Sequence, residues 1–325
     1  MEHVRLGTSG LKVSPMALGL GLRGQADSAE AERLIRRAHD GGITFFDCAN
    51  VYGLQDDRRN AGRSEEILGR ALKPVRDDVV IASKVVSAVG PGPNDRGGSR
   101  YHIMREAERS LRRLDTDRID VYLLHAYDTE TPLEEQFRAL DDLIRDGKVR
   151  YAGVCNYQSW QVDRALWTQS RINASPLVVV QNPYSLLDRS LEREMFPLVR
   201  DAGLGLMAYS PLAVGLLSGA YRRGEPAPAG SLWATRPPER LSTTLHGRVG
   251  DTIEVVRTVA GRHGVSMAQV ALQWVLSRPE VTVAISGADS DAQMAENLGA
   301  LTLRLTDEDL AELEAVSALE NRSVT

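Results

Sequence analysis

The chain has 325 residues, 42% of them hydrophobic, with 39 basic side chains against 44 acidic ones and only two cysteines. That balance supplies no cationic field for a nucleic-acid backbone, and no run approaches the roughly 18 uninterrupted apolar residues that cross a bilayer. The opening MEHVRLGTSG has no basic stretch leading into an apolar one, so no secretory signal is expected; Cys48 and Cys155, each in a strand-like segment, suit a reducing compartment such as the cytoplasm better than a disulfide scaffold.

In chain order, short branched-apolar runs alternate with longer amphipathic ones. The strand candidates are VSPMALGLG from Val13, ITFF from Ile43, VVIASK from Val79, IDVYLLH from Ile119, VRYAGVCN from Val149, VVVQNPY from Val178, GLMAY from Gly205 and VTVAISG from Val281. Between them SAEAERLIRRAHDGG reads as a helix capped by Ser28 and stopped at Gly41 and Gly42, and SEEILGRAL as one capped by Ser64. REAERSLRRL, EEQFRALDDLIRDG and DTIEVVRTVAGRHG continue the grammar. Eight strands in this alternation predict an α/β chain folded as one (β/α)8 TIM barrel over residues 1–325, since closure removes the sheet's edges. Two features exceed the minimal unit: a Pro- and Gly-rich segment, 213–250, read as a long loop after the seventh strand, and additional C-terminal helices from about Ser266 and from Thr306 to Ala318.

In such a barrel the C-terminal strand ends open into one bowl, so ionisable residues there are the first candidates for chemistry. Asp47 follows ITFF, Tyr52 lies five residues on, Lys84 ends VVIASK and His125 ends IDVYLLH. Their chemistry is mutually consistent. Tyr52 is a proton donor whose phenol is a poor acid unless a cation favours the phenolate; Lys84 supplies that cation, Asp47 neutralises it, and His125 can orient a carbonyl. The competing GLGLRG at 19–24 satisfies the glycine pattern of a dinucleotide-binding turn, yet QAD intervenes before the helix, which such a turn does not allow. Histidines and cysteines show no zinc-ligand spacing, and no metal is expected.

RLGTSGLKVS, FFDCANVYG, GRSEEILGRAL, IASK, IDVYLLH, ALDDLIRDGKVRYAGVCNY, VVQNPYSLL, AYSPLAVGLLSG and SGADSDAQMAENL together resemble the aldo-keto reductases from about Arg5 to Thr306. The resemblance implies hydride transfer from NAD(P)H to an aldehyde or ketone, with Asp47, Tyr52, Lys84 and His125 as the tetrad. It also implies a cofactor site. Cys155, Asn156 and Gln181 would hold the carboxamide; Tyr209 would stack on the nicotinamide, and Ser210 and Leu212 would line the pyrophosphate path. Gly215, Leu217, Ser218 and Gly219 would continue that path, with Ala220 in place of a common lysine, and Glu296 and Asn297 would meet the adenine. Gly287, Asp289 and Gln293 stand where relatives often carry Lys or Arg to meet a ribose 2′-phosphate, so appreciable NADH use is expected beside NADPH. From loop position, Leu22, Arg23, Tyr127 and Trp233 are expected to complete a pocket for a small carbonyl substrate. Two other functions fit the same pattern: oxidation of a sugar or secondary alcohol by the reverse reaction, and a cofactor-sensing or scaffolding barrel. Oligomeric state is left open by the sequence.

Overall fold

A computed structural model describes residues 1–318. The chain opens with an antiparallel hairpin of β1 (Val4–Arg5) and β2 (Lys12–Val13), paired Val4 to Val13 and Arg5 to Lys12. Val13 therefore belongs to this hairpin and not to the first barrel strand, because Pro15 separates the two. The hairpin closes the barrel's N-terminal end. Thr8 N–H donates to Gly203 O at 2.8 Å, and Gly7, with φ +59°, lies so close to Gly205 that a Cβ would come within 2.6 Å of its nitrogen.

The eight barrel strands are β3 (Met16–Gly19), β4 (Phe45–Asp47), β5 (Val80–Val85), β6 (Ile119–Leu124), β7 (Val149–Cys155), β8 (Leu177–Pro183), β9 (Gly205–Tyr209) and β10 (Val283–Ser286). All pair in parallel in sequence order, and β10 closes on β3, which makes the expected (β/α)8 barrel and excludes a doubly wound sheet around GLGLRG. Two cores follow from the period-2 alternation. Ala17, Phe45, Ala82, Val121, Leu123, Val179, Met207 and Val283 fill the interior, and Leu6 and Val13 plug it. The opposite faces pack on the helices.

Those helices are α1 (Ser28–Asp40), α2 (Arg63–Leu72), α3 (Arg100–Leu114), α4 (Leu133–Arg145), α5 (Ser159–Ile172), α6 (Met195–Ala202), α7 (Pro238–Thr244), α8 (Gly247–His263), α9 (Met267–Leu276), α10 (Asp291–Gly299) and α11 (Asp307–Ser317). Ser266 caps α9 with a reciprocal bond to Gln269, and Thr306 caps α11 in the same way with Asp309. Two expected caps are displaced. Asp27, not Ser28, caps α1 by accepting from Ala29 N–H, and α2 starts after Gly62 (φ +87°), leaving the Ser64 hydroxyl to donate to Leu20 O at 2.9 Å. The segment 213–250 is also more regular than a loop, since it contains a 3-10 turn at Leu232–Thr235, all of α7 and the start of α8. Among the described residues no helix is long and apolar enough to cross a membrane.

Candidate active site

Strand alternation delivers the polar groups to one rim. Each inward position one step below the rim is apolar, as with Phe45, Ala82, Leu123, Val179 and Met207. Two residues further on come Asp47, Lys84, His125, Gln181 and Tyr209, so the same face that fills the barrel ends in polar chemistry at its C-terminal mouth. Tyr52 joins them from the β4–α2 connection, whose root is held by Tyr52 N–H donating to Ala49 O and Ser64 N–H donating to Tyr52 O, both at 3.2 Å.

The four expected side chains meet. Lys84 Nζ, wholly buried, donates to Asp47 Oδ2 at 2.6 Å and to Cys48 O at 2.9 Å, and sits 4.8 Å from the centre of the Tyr52 ring. Tyr52 Oη lies 3.4 Å from His125 Nε2, with the two rings edge to face. Burial alone would pull the Lys84 ammonium down, but Asp47 and the surrounding phenol and thiol hold it above its ordinary value, so it is charged throughout the neutral range. The Tyr52 phenol moves opposite to the sequence-based expectation. Burial raises it, and Lys84 offsets that only in part, so at neutral pH the group carries its proton. His125 is pushed down to about 3 by burial and then by Lys84 and Arg58, and its ring is neutral.

Around this centre the cofactor candidates form a connected chain. Gln181 Nε2 donates to Asp47 Oδ1 at 2.8 Å, while its Oε1 accepts from Cys155 Sγ at 3.5 Å. Burial pushes the Cys155 thiol up to about 12, so it acts as a neutral donor. Asn156, with φ +60°, donates from Nδ2 to His125 O at 2.9 Å and accepts at Oδ1 from Tyr209 Oη at 2.8 Å. The Tyr209 ring is half-buried at the mouth. Beyond it Ser210, Ala213, Val214, Gly215 and Gly219 all have positive φ, which folds the stretch holding Leu212, Leu217 and Ser218 into successive tight turns along the rim. On the far side of the closure, Asn297 Nδ2 donates to Ser286 Oγ at 2.9 Å and Gly287 O at 3.0 Å. Asp289 Oδ1 accepts from Gly24 N–H at 3.1 Å, its own N–H donates to Gln293 Oε1 at 2.7 Å, and Gln25 Nε2 reaches Ala288 O at 2.7 Å. Glu296 lies on the same helix, α10.

The substrate candidates divide. Tyr127 packs at the mouth against Tyr157 and Trp160 with ring centres 5.1 and 5.7 Å away. Arg23 is exposed and pairs with Asp56 at 3.5 Å. Leu22 is buried with φ +49°, and its carbonyl takes Gln55 N–H at 2.8 Å, so it fixes the loop. Trp233, expected to line the bowl, is instead buried: its indole N–H donates to Val214 O at 3.3 Å, and Tyr221 and Arg236 cover its ring. Three neighbours of the site carry no signal in the sequence. Ser87 Oγ lies 3.2 Å from His125 Nδ1, Trp160 extends the Tyr127 wall, and Arg58 sits within electrostatic reach of His125. A serine or arginine in a polar loop is ordinary, and only the folded chain gives these their neighbours.

The model of the Aldo/keto reductase family matches residues 7–318. Among curated proteins, the chain is 38% identical to a probable voltage-gated potassium channel subunit beta of Oryza sativa subsp. japonica, over 97% of this chain and 96% of the relative. It is 37% identical to the uncharacterized oxidoreductase YrpG of Bacillus subtilis (strain 168), with the same coverage of both chains. It is 31% identical to L-glyceraldehyde 3-phosphate reductase of Escherichia coli (strain K12), over 97% of this chain and 92% of the relative.

Proposed function

The chain belongs to the aldo/keto reductase family, and on that premise we propose that it is a cytoplasmic NAD(P)H-dependent reductase of small aldehydes or ketones, with Tyr52 as general acid. The observation that carries the reading is the convergence of Tyr52 Oη, 3.4 Å from His125 Nε2, with a buried Lys84–Asp47 ion pair beside the Tyr52 ring. Two free, buried cysteines are consistent with the compartment.

The residues present fit the cofactor. Tyr209 offers a half-buried ring, Asn156 and Gln181 offer amides at adjacent strand ends, and the stretch from Ser210 to Gly219 turns through successive positive-φ residues. Tyr209, Asn156, Gln181 and Cys155 would hold the nicotinamide, Ser210, Leu212, Gly215, Leu217, Ser218 and Gly219 the pyrophosphate, and Glu296 and Asn297 the adenine. The chemistry supplied by NAD(P)H held there would be a hydride for the carbonyl carbon. The rest belongs to the chain. Tyr52 Oη delivers the proton to the carbonyl oxygen, which His125 orients through Nε2 when the Ser87 hydroxyl donates to Nδ1 and so leaves the ring proton on Nε2. Lys84 stabilises the phenolate left behind, and Asp47, itself fixed by Gln181, holds Lys84 in place.

The ribose end supports NADH use. The stretch 286–297 contains Asp289, Asp291 and Glu296 and neither Lys nor Arg, so a 2′-phosphate would meet acidic groups. The relative named for a phosphorylated aldehyde supports the carbonyl class, while the relative named as a channel subunit favours, as a second reading, a barrel that senses cofactor for a partner. Replacing Tyr52 with Phe separates them. In the reductase reading kcat falls at least about 100-fold while cofactor binding persists. Near-normal stopped-flow hydride transfer in Tyr52→Phe, or no turnover of any carbonyl by the native protein, would remove it.

A further inference from the structure

Two of the chain's four tryptophans are at the surface, and both stand on α5: Trp160 is 53% exposed and Trp167 62%, whereas Trp233 and Trp274 are buried. They lie two helical turns apart and so share a face. The exposed Asp163, Arg164 and Arg171 fall on the same stripe, while Val162, Ala165, Thr168 and Gln169 carry the buried side of the helix. One large aromatic left in water is ordinary. Two on one helix face, with arginine beside them, is the composition of the centre of a protein interface.

Both rings are held before anything docks on them. Trp160 packs on Tyr127 with ring centres 5.7 Å apart, and its indole N–H donates to Gln158 Oε1 at 2.5 Å. The Arg171 guanidinium lies 5.2 Å from the centre of the Trp167 ring and is itself paired with Glu134. Side chains fixed in this way lose little freedom on association. The two central charges differ: among the described residues neither the Asp163 nor the Arg164 side chain has a hydrogen bond or an ion pair. The order of the face decides what can answer them. From Trp160 to Trp167 the stripe reads Trp, Asp, Arg, Trp. A copy laid antiparallel upon it, by a two-fold axis between positions 163 and 164, sets Trp160 against Trp167 and Asp163 against Arg164, and does so twice. A parallel copy in register would oppose Asp163 to Asp163 and Arg164 to Arg164, like charge to like.

We propose that α5 is the contact helix of a homodimer, meeting α5 of a second copy antiparallel across a two-fold axis between residues 163 and 164. Two Trp160–Trp167 contacts flank two Asp163–Arg164 ion pairs at the axis, so each unpaired charge of one copy finds its partner on the other. Because Trp160 also packs on Tyr127 at the mouth of the bowl, the contact reaches the rim of the candidate active site.

Sedimentation velocity of the full chain across a dilution series tests this, and because the readout is mass it does not depend on turnover. The native chain is expected to dimerise. Asp163→Arg sets like charges across the axis and weakens the dimer at least about tenfold, and Arg164→Asp does the same. Combining Asp163→Arg with Arg164→Asp restores an order that is complementary to itself, and the dimer constant is expected to return to within about threefold of the native one. Trp167→Ala weakens association at least about tenfold. Every substituted side chain is exposed, so the barrel folds with all of them and a loss of association is a loss at this face. A native chain that stays monomeric at every concentration, or single reversals that leave the dimer constant unchanged, overturns the assignment. So does a dimer or larger ring that the double reversal fails to restore, since compensation between the two reversals requires that residue 163 of one copy face residue 164 of the other.

Discussion

Replacing Lys84 with Met separates the structural cost of the buried ion pair from its chemical use. The four-carbon stem of Lys84 is replaced by a side chain of similar volume, so packing changes little. The charge balance changes greatly: Asp47 is left buried with Gln181 Nε2, at 2.8 Å, as its remaining side-chain donor. Stranding one partner of a buried pair costs about 3–5 kcal/mol. At roughly 2.1 cal/mol/K of unfolding entropy per residue, a chain of this size loses about 6 °C in Tm for about 4 kcal/mol. Adding Asp47→Asn removes the stranded charge while an amide oxygen still accepts from Gln181. The double variant is therefore expected to recover most of the lost stability, within about 1–2 kcal/mol of the native protein. Turnover does not recover, because the phenolate of Tyr52 has lost the cation 4.8 Å from its ring, and kcat stays at least about 100-fold down in both variants. Calorimetric unfolding and single-turnover hydride transfer provide the two readouts. Strictly additive stability losses would refute the pairing argument, and recovered turnover in the double variant would refute the role of Lys84 in proton delivery.

Further outcomes follow from the same geometry. The proton on Tyr52 is the one transferred, and burial raises its pKa above the ordinary 10, so kcat/KM for reduction is expected to hold level through neutral pH and to fall as pH rises only above about 10; an alkaline limb near pH 7–8 would contradict this assignment. His125, at about 3, adds no acid limb between pH 5 and 8, which the same profile checks. Asp289→Arg replaces the repulsive group at the ribose end but also removes the bond to Gly24 N–H, so NADPH affinity rises relative to NADH while the 20–27 loop exchanges amide hydrogens faster; titrations showing no relative change would place Asp289 away from the ribose. Trp233→Ala empties a buried site and frees Val214 O, so protease nicking within 213–236 and a weaker cofactor Kd are expected, with the ranking of aromatic and aliphatic substrates unchanged; an altered ranking at constant Kd would return Trp233 to the bowl.

How much of this was legible in the amino-acid order depends on the range of the physics involved. The alternation of ITFF, VVIASK and IDVYLLH with amphipathic segments determines eight strands and the helices over them, because side-chain period is a local property of the backbone. The same period determines that Asp47, Lys84 and His125 share a rim, since each stands two residues beyond an inward apolar position of its own strand. Local reading failed where two neighbours compete for one role. Asp27 took the cap expected of Ser28, Ser64 turned its hydroxyl to Leu20, and Pro15 divided a run that looked continuous. The rest was decided only by the fold. The Tyr52 phenol is raised because its burial outweighs Lys84, and Trp233 is buried where its indole N–H meets Val214 O and its ring meets Tyr221 and Arg236. Desolvation and pairing are set by whichever groups the folded chain places within a few ångströms, and residues far apart in sequence supply most of them.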